Sequence, residues 1–199
     1  MKTTFADFNH PSTFIPEIEK QNLIEEYLEA FVPKICCLEG YWTQNMRDSF
    51  SLNPFLKAIG WMLEKKVRVA HRHISSVQEL DYYVKFPDGL VHKDPYLAGI
   101  DCFYLAAHGK PGGLKTYTSD IESEELISAF SWLHQGFNIV FFGACEIFAG
   151  EEGKRFAMEF LRKTGTVAVL GYSEETTFVD GLVIETLWLT RFFETEGNK

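Results

Sequence analysis

The chain contains no CxxC pair. Its four cysteines, Cys36, Cys37, Cys102 and Cys145, lie in or beside apolar runs, at spacings that build neither a zinc ribbon nor a thioredoxin-type site. Reduced thiols in a cytoplasmic protein are the simplest expectation. No apolar stretch reaches the roughly 18 residues of a membrane span. The opening MKTTFADFNHPS lacks the charged start and apolar run of a secretory signal. Positive charge is scarce, since 19 Lys and Arg against 28 Asp and Glu leave a net charge of −9. Nucleic acid and anionic membranes would repel such a chain, so neither is expected as a partner. Internal repeats and low-complexity linkers are missing as well.

What is present is enough apolar material for a sizeable core: 46% of the 199 residues are hydrophobic and 15% aromatic. Residues 1–16 read as irregular, and Pro16 opens a helix with Ile24, Tyr27, Leu28 and Phe31 at helical spacing. Residues 1–32 are therefore expected to be an N-terminal extension carrying one helix, and 33–199 the main domain. After Pro33, ICCL (35–38) reads as a short buried strand, and 40–51 as a polar-aromatic loop. Asn53-Pro54 gives an N-cap and a first-turn proline for a helix carrying Phe55, Leu56, Ile59, Met62 and Leu63.

VRVAHRHI (67–74) alternates as a strand, and Ser76 with Glu79 has capping-box spacing for the next helix. Residues 87–99 read as a loop with room for short strands, and IDCFYLAA (100–107) as the third apolar run, ending at His108-Gly109. A helix is expected from Ser123, a fourth strand at NIVFFGAC, and a helix over 150–163. TVAVLGY (166–172) supplies a fifth strand, and Asp180 caps a last helix with Leu182, Val183, Leu187 and Phe193. Nearly continuous apolar strands alternating with helices predict an α/β fold, a three-layer αβα sandwich around a mostly parallel sheet.

In such sheets the working residues lie beyond the carboxyl ends of the strands. The third strand ends in AAHGKPGG and the fourth in FFGACEIFAG. If these strands are neighbours, His108 and Cys145 emerge side by side at one edge. A thiol needs a base or a positive field to become a thiolate, and an adjacent imidazole supplies it. The N–H groups of Gly109 and Cys145 are candidate oxyanion donors. Taken singly, Cys145 reads as one more buried core cysteine and His108 as a turn residue; the pairing at successive strand ends is what favours catalysis.

These segments resemble the caspase-like cysteine peptidases of clan CD, which include caspases, metacaspases, gingipain-like enzymes and bacterial CHAT domains. The resemblance is carried by His108-Gly109 after one strand and Gly143-Ala144-Cys145 after the next, then by TGTVAVLGYS, which is similar to a strand of CHAT-type members. It covers about 33–195. It implies a caspase-like (flavodoxin-like) sandwich and a cysteine endopeptidase that needs no cofactor. Cys145 would attack a peptide carbonyl and His108 would protonate the leaving amine. Caspases carry Gln two positions before the cysteine and metacaspases Asp. Gly143 stands there in this chain, so that pocket chemistry does not carry over.

The candidate substrate-binding positions are Glu39, Gly143 and Tyr172. Glu39, in CLEGYW, reads either as a pocket floor preferring Arg or Lys or as a solvated turn residue, while Arg47 in the same loop argues for an acidic substrate. Tyr41, Trp42, Tyr172 and Phe178 follow strand ends, where they either line a peptide groove or divide between core and surface. His71 and His73 share one side of a strand, but no acid or cysteine stands in obvious register, so no metal is assigned. GKPGG (109–113) lacks the GK[ST] ending of a phosphate loop. Glu151 and Glu152 suit the N-terminal end of their helix.

The leading expectation is a cysteine endopeptidase acting on a peptide or protein. No long polar insert follows the fourth strand as a cleavage loop, so activation by a partner protein or ligand stands beside constitutive activity. Two alternatives remain: a non-catalytic caspase-like binding or scaffold module, and an unrelated flavodoxin-like protein holding a small cofactor.

Overall fold

Burial of the apolar runs on both faces organises the computed structural model, which describes residues 32–42, 50–64, 67–97, 99–133 and 138–196. The expected N-terminal extension with its helix, and Arg47, lie outside the described residues. Val32–Lys199 form one compact unit. Its strands are β1 (Lys34–Glu39), β2 (Arg68–His73) and β3 (Cys102–Ala106), then β4 (His108–Lys110), β5 (Gly113–Lys115) and β6 (Asp120–Ile121), then β7 (Ile139–Gly143) and β8 (Ala168–Gly171). Five of them make one sheet in the order β2-β1-β3-β7-β8, with every neighbouring pair parallel. The remaining three form a small antiparallel sheet, β4-β5-β6.

The central strands β1, β3 and β7 are buried at every residue, as strands covered on both faces require. Alternate side chains divide between two cores. On one face, Cys36, Leu38, Phe103, Leu105, Val140 and Phe142 pack under α2 (Val77–Val84), α3 (Leu90–Lys93), α4 (Ser123–Phe130) and α5 (Gly150–Thr164). On the other, Ile35, Cys37, Cys102, Tyr104 and Phe141 pack under α1 (Asn53–Met62) and α6 (Phe178–Glu196). The fold is thus α/β with helices on both faces of a parallel sheet. Among the described residues, no helix is long and apolar enough to cross a membrane.

Several local expectations shift. Residues 87–99 hold α3 and a 3-10 turn at Pro95–Leu97 rather than a loop with short strands. Helix α1 has Pro54 in its first turn but no side-chain cap from Asn53; Glu39 instead accepts the Leu52 N–H at 2.8 Å. Half of the expected box forms at α2: Glu79 N–H donates to Ser76 Oγ at 3.3 Å, while the Glu79 carboxylate accepts from the Ser75 N–H at 2.5 Å. Helix α4 starts at Ser123 as expected, and a capping box between Glu122 and Glu125 closes its first turn. The α6 helix begins before Asp180, whose N–H donates to Thr177 Oγ1 at 3.1 Å. Helix α5 ends at Gly165 with φ of 69°, the left-handed conformation that glycine adopts without steric cost. The small sheet β4-β5-β6 was not foreseen, because its strands are two or three residues long and carry no alternation.

Phe142 is fully buried and meets Phe148, Phe156 and Phe160 at ring separations of 6.0, 5.5 and 5.4 Å. Phe142→Ala is expected to lower stability by about 3–5 kcal/mol, read as a reduced midpoint in denaturant unfolding at unchanged m-value.

Candidate active site

The parallel register of β3 and β7 pairs Ala106 with Gly143. His108 and Cys145 each lie two residues beyond that pair, so the ladder carries imidazole and thiol to the same sheet edge. The two chains then touch. A Cβ placed on Gly109 would fall 1.8 Å from the Cys145 carbonyl oxygen, so only glycine fits there. The backbone of Gly109, a candidate oxyanion donor, is thus packed directly against that of Cys145. Immediately afterwards Glu146 takes φ of 58°, a left-handed conformation uncommon outside glycine. The turn is tied down by Gly112 N–H to the Ile147 carbonyl (2.9 Å) and Phe148 N–H to the Tyr172 carbonyl (3.0 Å).

His108 is exposed, and its Nε2 lies 2.9 Å from the Trp42 carbonyl oxygen. A carbonyl only accepts, so Nε2 carries the proton and the neutral ring keeps its lone pair on Nδ1. The Trp42 indole crosses the His108 ring edge-on at 5.5 Å. The Cys145 thiol donates to the Thr176 carbonyl at 3.3 Å and accepts from the Thr176 N–H at 3.4 Å. Among the described residues no hydrogen bond joins Sγ to the His108 ring. Both groups line the same two cavities, of about 170 and 530 Å³, together with Trp42 and Thr176. The larger one adds Tyr41, Gly109, Lys115 and Glu175.

Glu39 is not the pocket floor, and it lines neither cavity. It has no exposed surface, and both oxygens are engaged. Oε1 accepts from the Trp42 indole (2.6 Å) and the Leu52 N–H (2.8 Å), and Oε2 from the Ser51 hydroxyl (2.8 Å) and His71 Nε2 (2.6 Å). Burial alone would raise its pKa, but these donors, His71 first, hold it below the usual carboxylate range. It holds the Trp42 indole, and the Trp42 carbonyl in turn meets His108.

The acid in the 170 Å³ cavity is Glu185, from α6. Tyr104 donates to Glu185 Oε2, and Tyr172 donates to Oε1 at 2.8 Å. Burial raises its pKa against the opposing effect of the two hydroxyls. Tyr172 therefore does line the cavity, bound to the carboxyl group. Gly143 lines it too, for a packing reason: a Cβ there would lie 2.6 Å from the Tyr104 hydroxyl. The sequence reading missed Glu185, Tyr104, Thr176 and the Trp42 carbonyl. Only Glu185 left a signal, a lone acid between Leu182 and Leu189 on the apolar stripe of α6.

The other cysteines stand apart. Cys36, Cys37 and Cys102 are buried, and burial pushes the Cys36 thiol up to about 12 and the other two above the usual thiol range. His71 and His73 do have an acid in register, since Glu39 pairs with His73 across β1 and β2.

Compared with models of known protein families and with curated proteins, the chain shows no match.

Iodoacetamide is expected to add one carbamidomethyl group to the native protein, at Cys145, by intact mass and peptide mapping. The other three thiols should react only after denaturation. Equal labelling of all four would contradict the burial of Cys36, Cys37 and Cys102.

Proposed function

We propose that the chain is a cysteine-type endopeptidase in which Cys145 is the nucleophile and His108 the general base and acid. The observation that carries this reading is the shared strand-end position of the two groups, both opening on the same cavities. The tautomer supports it. With Nε2–H committed to the Trp42 carbonyl, Nδ1 is the nitrogen left to take the Cys145 proton. The thiol first leaves the Thr176 carbonyl. The thiolate then adds to the peptide carbonyl carbon, and the oxyanion is received by the Gly109 and Cys145 N–H groups. The imidazolium protonates the departing amine, leaving a thioester that water hydrolyses to free acid and thiol.

The 170 Å³ cavity is the natural seat for the side chain beside the scissile bond. Its apolar walls, Leu52, Leu182 and Phe178, surround a single buried acid, Glu185. A cation suits that acid better than a neutral group, because a buried carboxylate without a counter-charge is costly. The substrate is thus a peptide or protein with Lys or Arg at this position. Three buried, unpaired thiols suit a reducing compartment such as the cytoplasm.

A second reading is a binding module with an idle dyad. The bonding of Cys145 Sγ to Thr176 instead of His108 favours it. A positional-scanning library of fluorogenic peptides separates the two. Cys145→Ala should abolish turnover, and His108→Ala should reduce kcat/KM by about 10²–10⁴-fold. No cleavage of any library member under reducing conditions, by folded protein, would overturn the peptidase reading.

For the pocket, Glu185→Gln should cost basic substrates at least about tenfold in kcat/KM, as expected on losing a charge-assisted contact, and leave norleucine substrates nearly unchanged. The cation requires ionised Glu185. Because burial raises that carboxyl's pKa, cleavage after Lys should fall on acidification from a point above the ordinary glutamate value of about 4.3. The norleucine profile should lack this limb. Indifference to the E185Q change would remove Glu185 from specificity while leaving the dyad intact.

A further inference from the structure

We propose that Glu39, His71 and His73 form a binding site for a borderline divalent cation, Zn²⁺ in type, separate from the Cys145 cavities. His71 and His73 point to one side of β2, and the parallel register sets Glu39 of β1 directly beside His73. One ligand atom from each lies within 4.8 Å of the other two. The donor set, two imidazole nitrogens and one carboxylate oxygen, suits zinc, with water completing a tetrahedron.

Three observations point to a ligand. First, His73 Nδ1 is buried with no hydrogen-bond partner, an arrangement that costs free energy unless something fills it. Second, the two imidazoles stand edge to face, with centroids 4.9 Å apart and planes at 89°. Two imidazoles on one tetrahedral ion at about 2.0–2.1 Å place their centroids roughly 5 Å apart, close to this separation. Third, the carboxylate is already divided. Oε1 is held by Trp42 and Leu52, while Oε2 accepts from the Ser51 hydroxyl at 2.8 Å and from His71 Nε2 at 2.6 Å, and the His71 proton occupies the line a metal would take.

Binding exchanges that proton for the ion. The His71 proton is relocated from Nε2 to Nδ1, which keeps the imidazole neutral, and Nε2, Oε2 and His73 Nδ1 become ligands. Ligands of a tetrahedral zinc lie about 3.3 Å apart. His71 and Glu39 must therefore part by about 0.7 Å, and no pair must close by more than about 1.5 Å, shifts of the size that side-chain rotation gives. Tyr41 stacks on His73 at 5.1 Å with planes at 15°, and is itself half exposed, so the site lies just beneath the surface. The ion would tie the ends of β1 and β2 together at the residue that positions Trp42.

The test uses the full chain as Cys145→Ala, which removes the reactive thiol as a competing ligand, and titrates it with Co²⁺ and then Zn²⁺. The expected result is one equivalent of Co²⁺ with a visible ligand-field band and no sulfur-to-cobalt charge-transfer band, displaced by Zn²⁺. Adding His73→Phe, which keeps a ring for Tyr41 to stack on, should weaken Zn²⁺ at least about tenfold against a chromophoric chelator. His71→Gln should do the same, and His108→Phe should change nothing. Absence of a saturable equivalent in the Cys145→Ala protein overturns the site. So does unchanged affinity in folded His73→Phe or His71→Gln protein, or loss on His108→Phe.

Discussion

The parallel ladder between β3 and β7 governs the chemistry available to this chain, because hydrogen-bond register fixes where the chain emerges from each strand. Ala106 faces Gly143 across the ladder, and each strand ends within a residue of that pair. The next residues must turn away from the sheet at the same height. Imidazole and thiol then share a space although 37 positions separate them (145 − 108). The contact between the Gly109 and Cys145 backbones makes the convergence tight, since no side chain fits between them.

Two buried acids divide the work around that edge, and their surroundings set opposite protonation tendencies. Glu39 collects four donors, which outweigh the cost of burial and keep it charged. A charge so fully enclosed organises what donates to it: the Trp42 indole, the start of α1 at Leu52, and His71. Glu185 has only two tyrosine hydroxyls, and burial prevails. That carboxyl borders open space, so its compensation is incomplete within the chain. The first is enclosed by donors from its own chain, and the second borders the 170 Å³ cavity.

The fold was legible because each central strand is a near-continuous apolar run and each helix carries an apolar stripe, patterns local enough to read without knowing what they pack against. The His108 and Cys145 pair was legible for a related reason: both follow strands directly, so their placement needs only the neighbour relation of two strands. The roles of the acids were not. Glu39 lies at a strand end, and nothing in CLEGYW shows that donors from two distant segments, Ser51-Leu52 and His71, join its own Trp42 in closing over it. Glu185 lies in the middle of a helix, and its address depends on which strand that helix covers.

Sequence alone determined the layer architecture, the sheet's parallel character and the candidate nucleophile with its base, since these arise from hydrophobic periodicity and the ends of elements. Tertiary structure alone decided which carboxylate borders the cavity, which nitrogen of His108 keeps its lone pair, and that Glu39 stands in register with two histidines. Those outcomes depend on the packing of α6 over β3 and on the pairing of β1 with β2. Such contacts join residues 32 to 81 positions apart, as His71 to Glu39 and Tyr104 to Glu185 show. No local pattern encodes them.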